Sequence, residues 1–169
     1  MSAGYRIAGR PGLSTTQVAL IGFAIAMGWL EAVVVVYIRA IIGIAHQASL
    51  PAGAQLLTLL HSNPWLLPTE QSREVVTLLM LAAVGVLYGD STRRRFGAFL
   101  IAFGIWDLAY YGSLRLLIGW PDSLSTLDCL FLIPPTPLWN QPVWVPMAIS
   151  VLLIWGGIRL QARPSRYGR

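Results

Sequence analysis

The sequence has no lysine, one cysteine, two histidines and only seven acidic residues in 169. Each shortage excludes something. The single cysteine, Cys129, rules out an intramolecular disulfide and a Cys-rich metal site, and reads as a small apolar filler. The two histidines, His46 and His61, form no HExxH, no ExxH and no pair at i, i+4, so the pattern names no metal. A Gly-rich phosphate loop, a GxSxG turn and a Ser/His/Asp set are also missing. No catalytic residue can be named, and whether haem, pigment or another cofactor is bound stays open.

Charge is scarce too. Charged residues make up 11% of the chain, whereas a soluble domain carries roughly 25%. Hydrophobic residues make up 56%, with a mean hydropathy of +0.63, a composition that belongs in lipid. All twelve basic residues are arginine, and the net charge of +5 raises the question of nucleic acid. Their positions answer it, because they gather at the ends of apolar runs rather than on one basic face. The partner this implies is the lipid bilayer, not nucleic acid.

The apolar runs predict an all-α integral membrane protein built as a single domain over 1–169. Four spans are expected at about residues 17–44, 72–89, 96–119 and 142–160. Ser14 with Gln17 forms a capping box ahead of the first. A cleavage site at Ala24-Ile25-Ala26 is the competing reading, but the apolar run continues well past it. The second span has a purely apolar part only from Val75 to Tyr88, short for a bilayer, with Thr69 after Pro68 as its N-cap. Before the fourth span, the segment at about 123–133 is too short to cross and is expected to be an interfacial or re-entrant helix. A short helix is also expected within Gln55 to Leu60.

Arginine placement orients the chain. Nine of the twelve (Arg6, Arg10, Arg93 to Arg95, Arg159, Arg163, Arg166 and Arg169) fall on one side of four spans. The positive-inside rule makes that side cytoplasmic, with both termini there, as expected in a multi-pass protein of the cell inner membrane. Trp65, Trp120, Trp139 and Trp144 gather at the opposite boundary, where an aromatic belt is expected.

Phe23–Gly43 aligns with Phe99–Gly119 at a constant offset of 76, with seven identities in 21 columns. Glu31 falls on Asp107 and Arg39 on Arg115, preserving an acid-to-arginine spacing of eight. A duplication would make the chain two related helical hairpins about an axis along the membrane normal.

Two groups of polar residues stand out. The first is intramembrane: Glu31 and Asp107 near mid-span, Tyr110 and Tyr111 one turn beyond Asp107, and Arg39 and Arg115 two turns beyond each acid. A carboxylate at that depth costs at least about 2.5 kcal/mol on insertion scales, so it should face other helices or a wet cavity. Each arginine can reach back toward the acids or snorkel outward. The second is an outer ring of Arg73, Glu70, Glu74, Asp122, Asp128, His46 and His61, read as solvated loop groups except for Asp128, which sits in an apolar segment.

Small residues on the first and third spans, Gly22, Gly28, Gly104 and Gly112 among them, permit close helix approach. Their mate is another span, a protein partner or a second copy in a homo-oligomer. Three functions fit: a non-enzymatic protein handling protons or cations, an accessory subunit of a larger membrane complex, and a membrane-embedded enzyme using the outer acids and histidines. The first is favoured, because ionisable residues inside a span are functional by default.

Overall fold

The computed structural model describes residues 13–44, 58–129 and 140–162. Four helices, α1 (Thr15–Ile41), α2 (Leu66–Tyr88), α3 (Thr92–Ile118) and α4 (Trp144–Ala162), are long and apolar enough to cross a membrane. A helical turn covers 58–61. Between α3 and α4 lie two short antiparallel strands, β1 (Leu127–Cys129) and β2 (Asn140–Pro142), which pair Asp128 with Gln141.

Helix α1 starts at the expected capping box. The Gln17 N–H donates to Ser14 Oγ at 3.2 Å, and the Ser14 N–H donates to Gln17 Oε1 at 2.8 Å. It then runs unbroken through Ala24 to Ala26. Its 27 residues span about 40 Å at 1.5 Å per residue.

Helix α2 departs from expectation at its start. It begins at Leu66, with Pro68 and Thr69 inside the first turns. Proline is tolerated there because the first-turn N–H groups have no intrahelical acceptor to lose. Thr69 is therefore not the N-cap, and its hydroxyl donates back to the Trp65 carbonyl at 2.7 Å. The extra turns lengthen the helix to 23 residues, about 35 Å, and remove the apparent shortness. They also carry Glu70, Arg73 and Glu74 into the helix body. Leu66, Glu70, Glu74, Thr77, Leu81 and Gly85 recur at three- and four-residue spacing and are its buried face.

The interfacial helix expected at 123–133 is not what 123–129 forms. Ser123 to Thr126 make a turn held by the Ser123 N–H on Thr126 Oγ1 at 3.2 Å, and β1 follows. Ser, Thr and Asp side chains compete for backbone partners and draw such a stretch away from helix. The N–H groups of Val143 and Trp144 then donate to the Thr126 and Leu124 carbonyls, tying the start of α4 to this turn. Residues 130–133, and 55–57 of the other short helix, lie outside the described residues. The fold is thus mostly helical with one small strand pair, rather than all-α.

Helix α3 packs against all three other helices. Glycine sets the close approaches. A Cβ on Gly28 of α1 would fall 2.6 Å from the Trp106 carbonyl oxygen of α3. On α3, Gly97 lies against Gly157 and Gly104 against Ser150, an antiparallel seam with a seven-residue step on both helices. The faces of Gly28 and Gly104 are therefore occupied within the chain, while Gly22 and Gly112 have nothing near them among the described residues.

Helices α1 and α3 run in the same direction, because Ala24 and Met27 pack with Ala98, Ala102 and Trp106, and Ala32 packs with Tyr111 and Leu114. One end of the bundle therefore carries the start of α1, the Gly89–Ser91 turn and the end of α4. The other carries the end of α1, the start of α2, the strand pair and the start of α4.

Candidate functional site

An apolar cluster of Leu20, Ala24, Met27, Leu81, Ala98, Ala102 and Trp106 fills the first end of the bundle. The second end is different. Between all four helices and β1 lies a cavity of about 290 Å³. Its wall includes Glu31, Glu70, Glu74, Asp107 and Asp128, which are five of the seven acidic residues in the chain. Arg39 and Arg73 face it as well, with Tyr110, Tyr111, Trp106 and Trp120.

Members of both polar groups read from the sequence therefore share one chamber, while Arg115, Asp122 and His61 lie off its wall. Arg73, Glu74 and Asp128, expected in an outer ring, share its wall with the midplane acids Glu31 and Asp107. The solvated-ring reading fails for these residues because Glu70 and Glu74 fall on the buried face of α2 with Thr77 and Leu81, and Arg73 beside them turns to the same chamber. Glu70, Glu74 and Asp128 are all buried.

Arg73 is the hub. It pairs with Glu31 of α1 and with Glu70 one turn back on its own helix, where its Nε donates at 2.9 Å to both carboxylate oxygens. Glu31 also accepts from the Thr77 hydroxyl at 3.2 Å. One guanidinium thus offsets two carboxylates and joins α1 to α2.

Asp107 and Asp128 are held differently, by hydroxyl and backbone donors. The Ser150 hydroxyl of α4 donates to Asp107 Oδ2 at 2.8 Å. Asp128 Oδ2 accepts from the Tyr111 hydroxyl at 2.8 Å, and its Oδ1 accepts from the Cys129 N–H at 2.9 Å. Burial pushes the Asp128 carboxyl up to about 7, against the opposing pull of the Tyr111 and Cys129 bonds and of Arg39, while Asp107 adds to the rise. The Cys129 thiol is pushed up to about 11 by burial and then by Asp128 and Glu74.

The arginines expected to act alike do not. Arg39 is buried, 2% exposed, lines the chamber and stacks its guanidinium 4.9 Å from the Trp120 ring centroid. Arg115 is exposed and turns away from the acids, its Nη1 donating to the carbonyls of Gly119 and Pro121 beyond its helix. Those carbonyls, just past the end of α3, hold the Arg115 guanidinium, so Arg115 does not share the chamber wall with Glu31 and Asp107. Tyr111 likewise serves Asp128 rather than Asp107. His61 is exposed and off the chamber wall, and His46 lies outside the described residues.

Several site residues gave little signal in the sequence. Thr77 and Ser150 are lone hydroxyls in apolar spans, and that isolation is the one mark they carry. Trp120 was read as a belt residue, and Trp106 drew no reading of its own. Both are more than nine-tenths buried, and among the described residues neither indole N–H has a hydrogen-bond partner. No three His, Cys, Asp or Glu side chains converge closely enough to hold a metal ion among the described residues. No protein-family model, no curated protein and no solved structure matches this chain, so its function has to be argued from the chamber.

Proposed function

We propose that the chain is a non-enzymatic, multi-pass protein of the cytoplasmic membrane whose chamber binds and releases protons or cations on the outer side. The observation that carries this is the gathering of five of the seven acids, against two arginines, around one cavity. A structural clamp between α1 and α2 is supplied by Arg73 with Glu31 and Glu70, and that set already holds one carboxylate more than it has cations. Asp107, half-buried, and Asp128, buried, add two further carboxylates braced by hydroxyls. Their desolvation contributes nothing to packing that an apolar pair would not do better. Such residues are kept for what they bind.

The orientation rests on the arginines. Arg93, Arg94, Arg95 and Arg159 lie at the end of the bundle opposite the chamber, and by the positive-inside rule this supports an outer position for the chamber. The test is proton flux into liposomes carrying the purified protein and a trapped pH-sensitive dye. Flux above the protein-free background is expected, falling at least about tenfold in Asp107→Asn while the helical signal is kept. Wild-type flux at background, under both outward and inward gradients, would sink the reading.

A further inference from the structure

The chamber has features beyond its charge. Asp107 uses Oδ2 for Ser150 and leaves Oδ1 without a partner among the described residues. The indole N–H groups of Trp106 and Trp120 are buried donors in the same wall, also without partners there. An unmade hydrogen bond at a buried polar group costs about 1–3 kcal/mol, so the two indole donors call for an accepting occupant, and the half-buried Asp107 oxygen is open to a donor on the same guest. Around them the wall is apolar, with Val35, Ile38, Ile42 and Ile149 among its residues.

The occupant's charge follows from the balance of the wall. An anion with no cationic group would meet five carboxylates and two guanidiniums, one of which, Arg73, is already shared by two acids. A bare divalent ion would find no three convergent ligands among the described residues. A wholly apolar guest would leave the indole N–H groups and the Asp107 oxygen unmet. An ammonium satisfies a carboxylate by charge-assisted hydrogen bonds and is drawn to aromatic faces such as those of Tyr110 and Trp106. An oxygen on the same guest meets the indole donors.

We propose that the chamber binds a primary ammonium carried beside a hydrogen-bond-accepting oxygen, the chemistry of a phosphoethanolamine group. That group has two sources, the headgroup of an aminophospholipid and the free water-soluble molecule. The assignment rests on reading the chamber as a cation site and names the cationic group, a primary ammonium; its phosphate makes the lipid headgroup neutral overall and the free molecule anionic, so the wall selects the ammonium and not net charge. Asp107 and Asp128 take the ammonium, the indole N–H groups take an oxygen, and the apolar wall takes the carbon chain next to them.

Native mass spectrometry of the delipidated full-length protein in mild detergent tests it. The titrants are phosphatidylethanolamine, phosphatidylcholine, phosphatidylglycerol and free phosphoethanolamine. Phosphatidylethanolamine should bind about tenfold more tightly than phosphatidylcholine, whose quaternary nitrogen cannot donate, and than phosphatidylglycerol, which has no cation. Asp107→Asn should erase that preference. Should that variant fail to fold, Trp106→Phe removes one N–H and keeps an aromatic ring, and a severalfold weaker binding is expected. Free phosphoethanolamine binding as tightly as the lipid assigns the soluble source; its failure to bind assigns the membrane lipid. Equal binding of the three lipids, or a preference unchanged in the folded variants, overturns the proposal. Proton flux persisting in vesicles free of phosphatidylethanolamine would then leave the broader reading standing alone. Headgroup selectivity without flux would do the reverse.

Discussion

The Ser150 hydroxyl donates to Asp107 across 2.8 Å and so ties the fourth helix to the third. Thr77 does the same for Glu31 at 3.2 Å, tying the second helix to the first. In both hairpins the acid of the leading helix accepts from a hydroxyl on the helix that follows. The parallel ends there. Glu31 also has Arg73, whereas Asp107 has no ion pair among the described residues, so of these two acids Asp107 is the one that keeps an oxygen for a guest.

Removing the hydroxyl should therefore weaken the two hairpins unequally. Ser150→Ala is expected to cost about 1–3 kcal/mol, because Asp107 loses its one hydrogen-bond donor among the described residues. Thr77→Ala should cost less, since Arg73 continues to hold Glu31. Thermal unfolding of the two variants in one detergent checks the order; an equal or reversed loss would contradict it.

Arg73 should be among the most costly polar residues to remove. Arg73→Met leaves Glu31 and Glu70 as uncompensated neighbours, and breaking a buried pair by deleting one partner costs about 3–5 kcal/mol. Adding Glu31→Gln to Arg73→Met should recover part of the loss, by removing one of the stranded charges. A double variant no more stable than Arg73→Met alone would show that the acids do not depend on it.

The four long helices were legible because an apolar run of bilayer length is a strong, local signal. The chamber was legible only in pieces. Glu31 and Asp107 stood out by their cost in an apolar span, but Glu70, Arg73 and Glu74 looked like loop residues. Pro68 and Thr69 imitate a helix start, and the actual start is set by what the first turn tolerates. Arg39 and Arg115 were indistinguishable by spacing. Their split depends on Trp120 lying under one guanidinium and the carbonyls of Gly119 and Pro121 lying beside the other, contacts no spacing encodes. The strand pair was missed because three-residue strands carry too little alternation to read.

The third–fourth helix seam has little room for growth. A Cβ on Gly104 would stand 2.5 Å from the Ser150 carbonyl oxygen, on backbone that cannot rotate away. Gly104→Ala should lower stability by about 1–3 kcal/mol, the usual cost of overpacking. Because it pushes on Ser150, it should also perturb the chamber. Gly22→Ala, with nothing within 4 Å of the new methyl, is the matched control and should leave the unfolding midpoint unchanged or slightly higher.

Asp128 makes stability depend on pH in a stated direction. Its carboxyl is raised to about 7 in the fold, against roughly 3.9 in the unfolded chain. Between those values the native state holds a proton that the unfolded state has released. Stability from this group therefore falls as pH rises from about 4 toward 7, and levels off above the folded value. The groups facing Asp128 are Tyr111, the Cys129 N–H, Asp107 and Arg39. Asp128→Asn should flatten the decline in unfolding midpoint between pH 5 and pH 8. A wild-type midpoint that rises over that range would contradict the assignment.

Cys129 provides a handle on orientation, but a slow one. Its thiol is half-buried and raised to about 11, so at pH 7.5 very little of it is the reactive thiolate. A sharper probe moves the cysteine a short way along the chain. In a Cys129→Ser background, Ser125→Cys lies on the exposed turn at the chamber end, and Thr92→Cys lies exposed at the arginine-rich end. With a membrane-impermeant maleimide on right-side-out vesicles, Ser125→Cys should label at once. Thr92→Cys should label only after the membrane is opened. The opposite pattern would place the chamber on the cytoplasmic side, and the acids would then face the cell interior. Wild-type Cys129 should label slowly from the outer side and faster as pH is raised toward 9, because the thiolate fraction grows roughly tenfold per pH unit below its folded value.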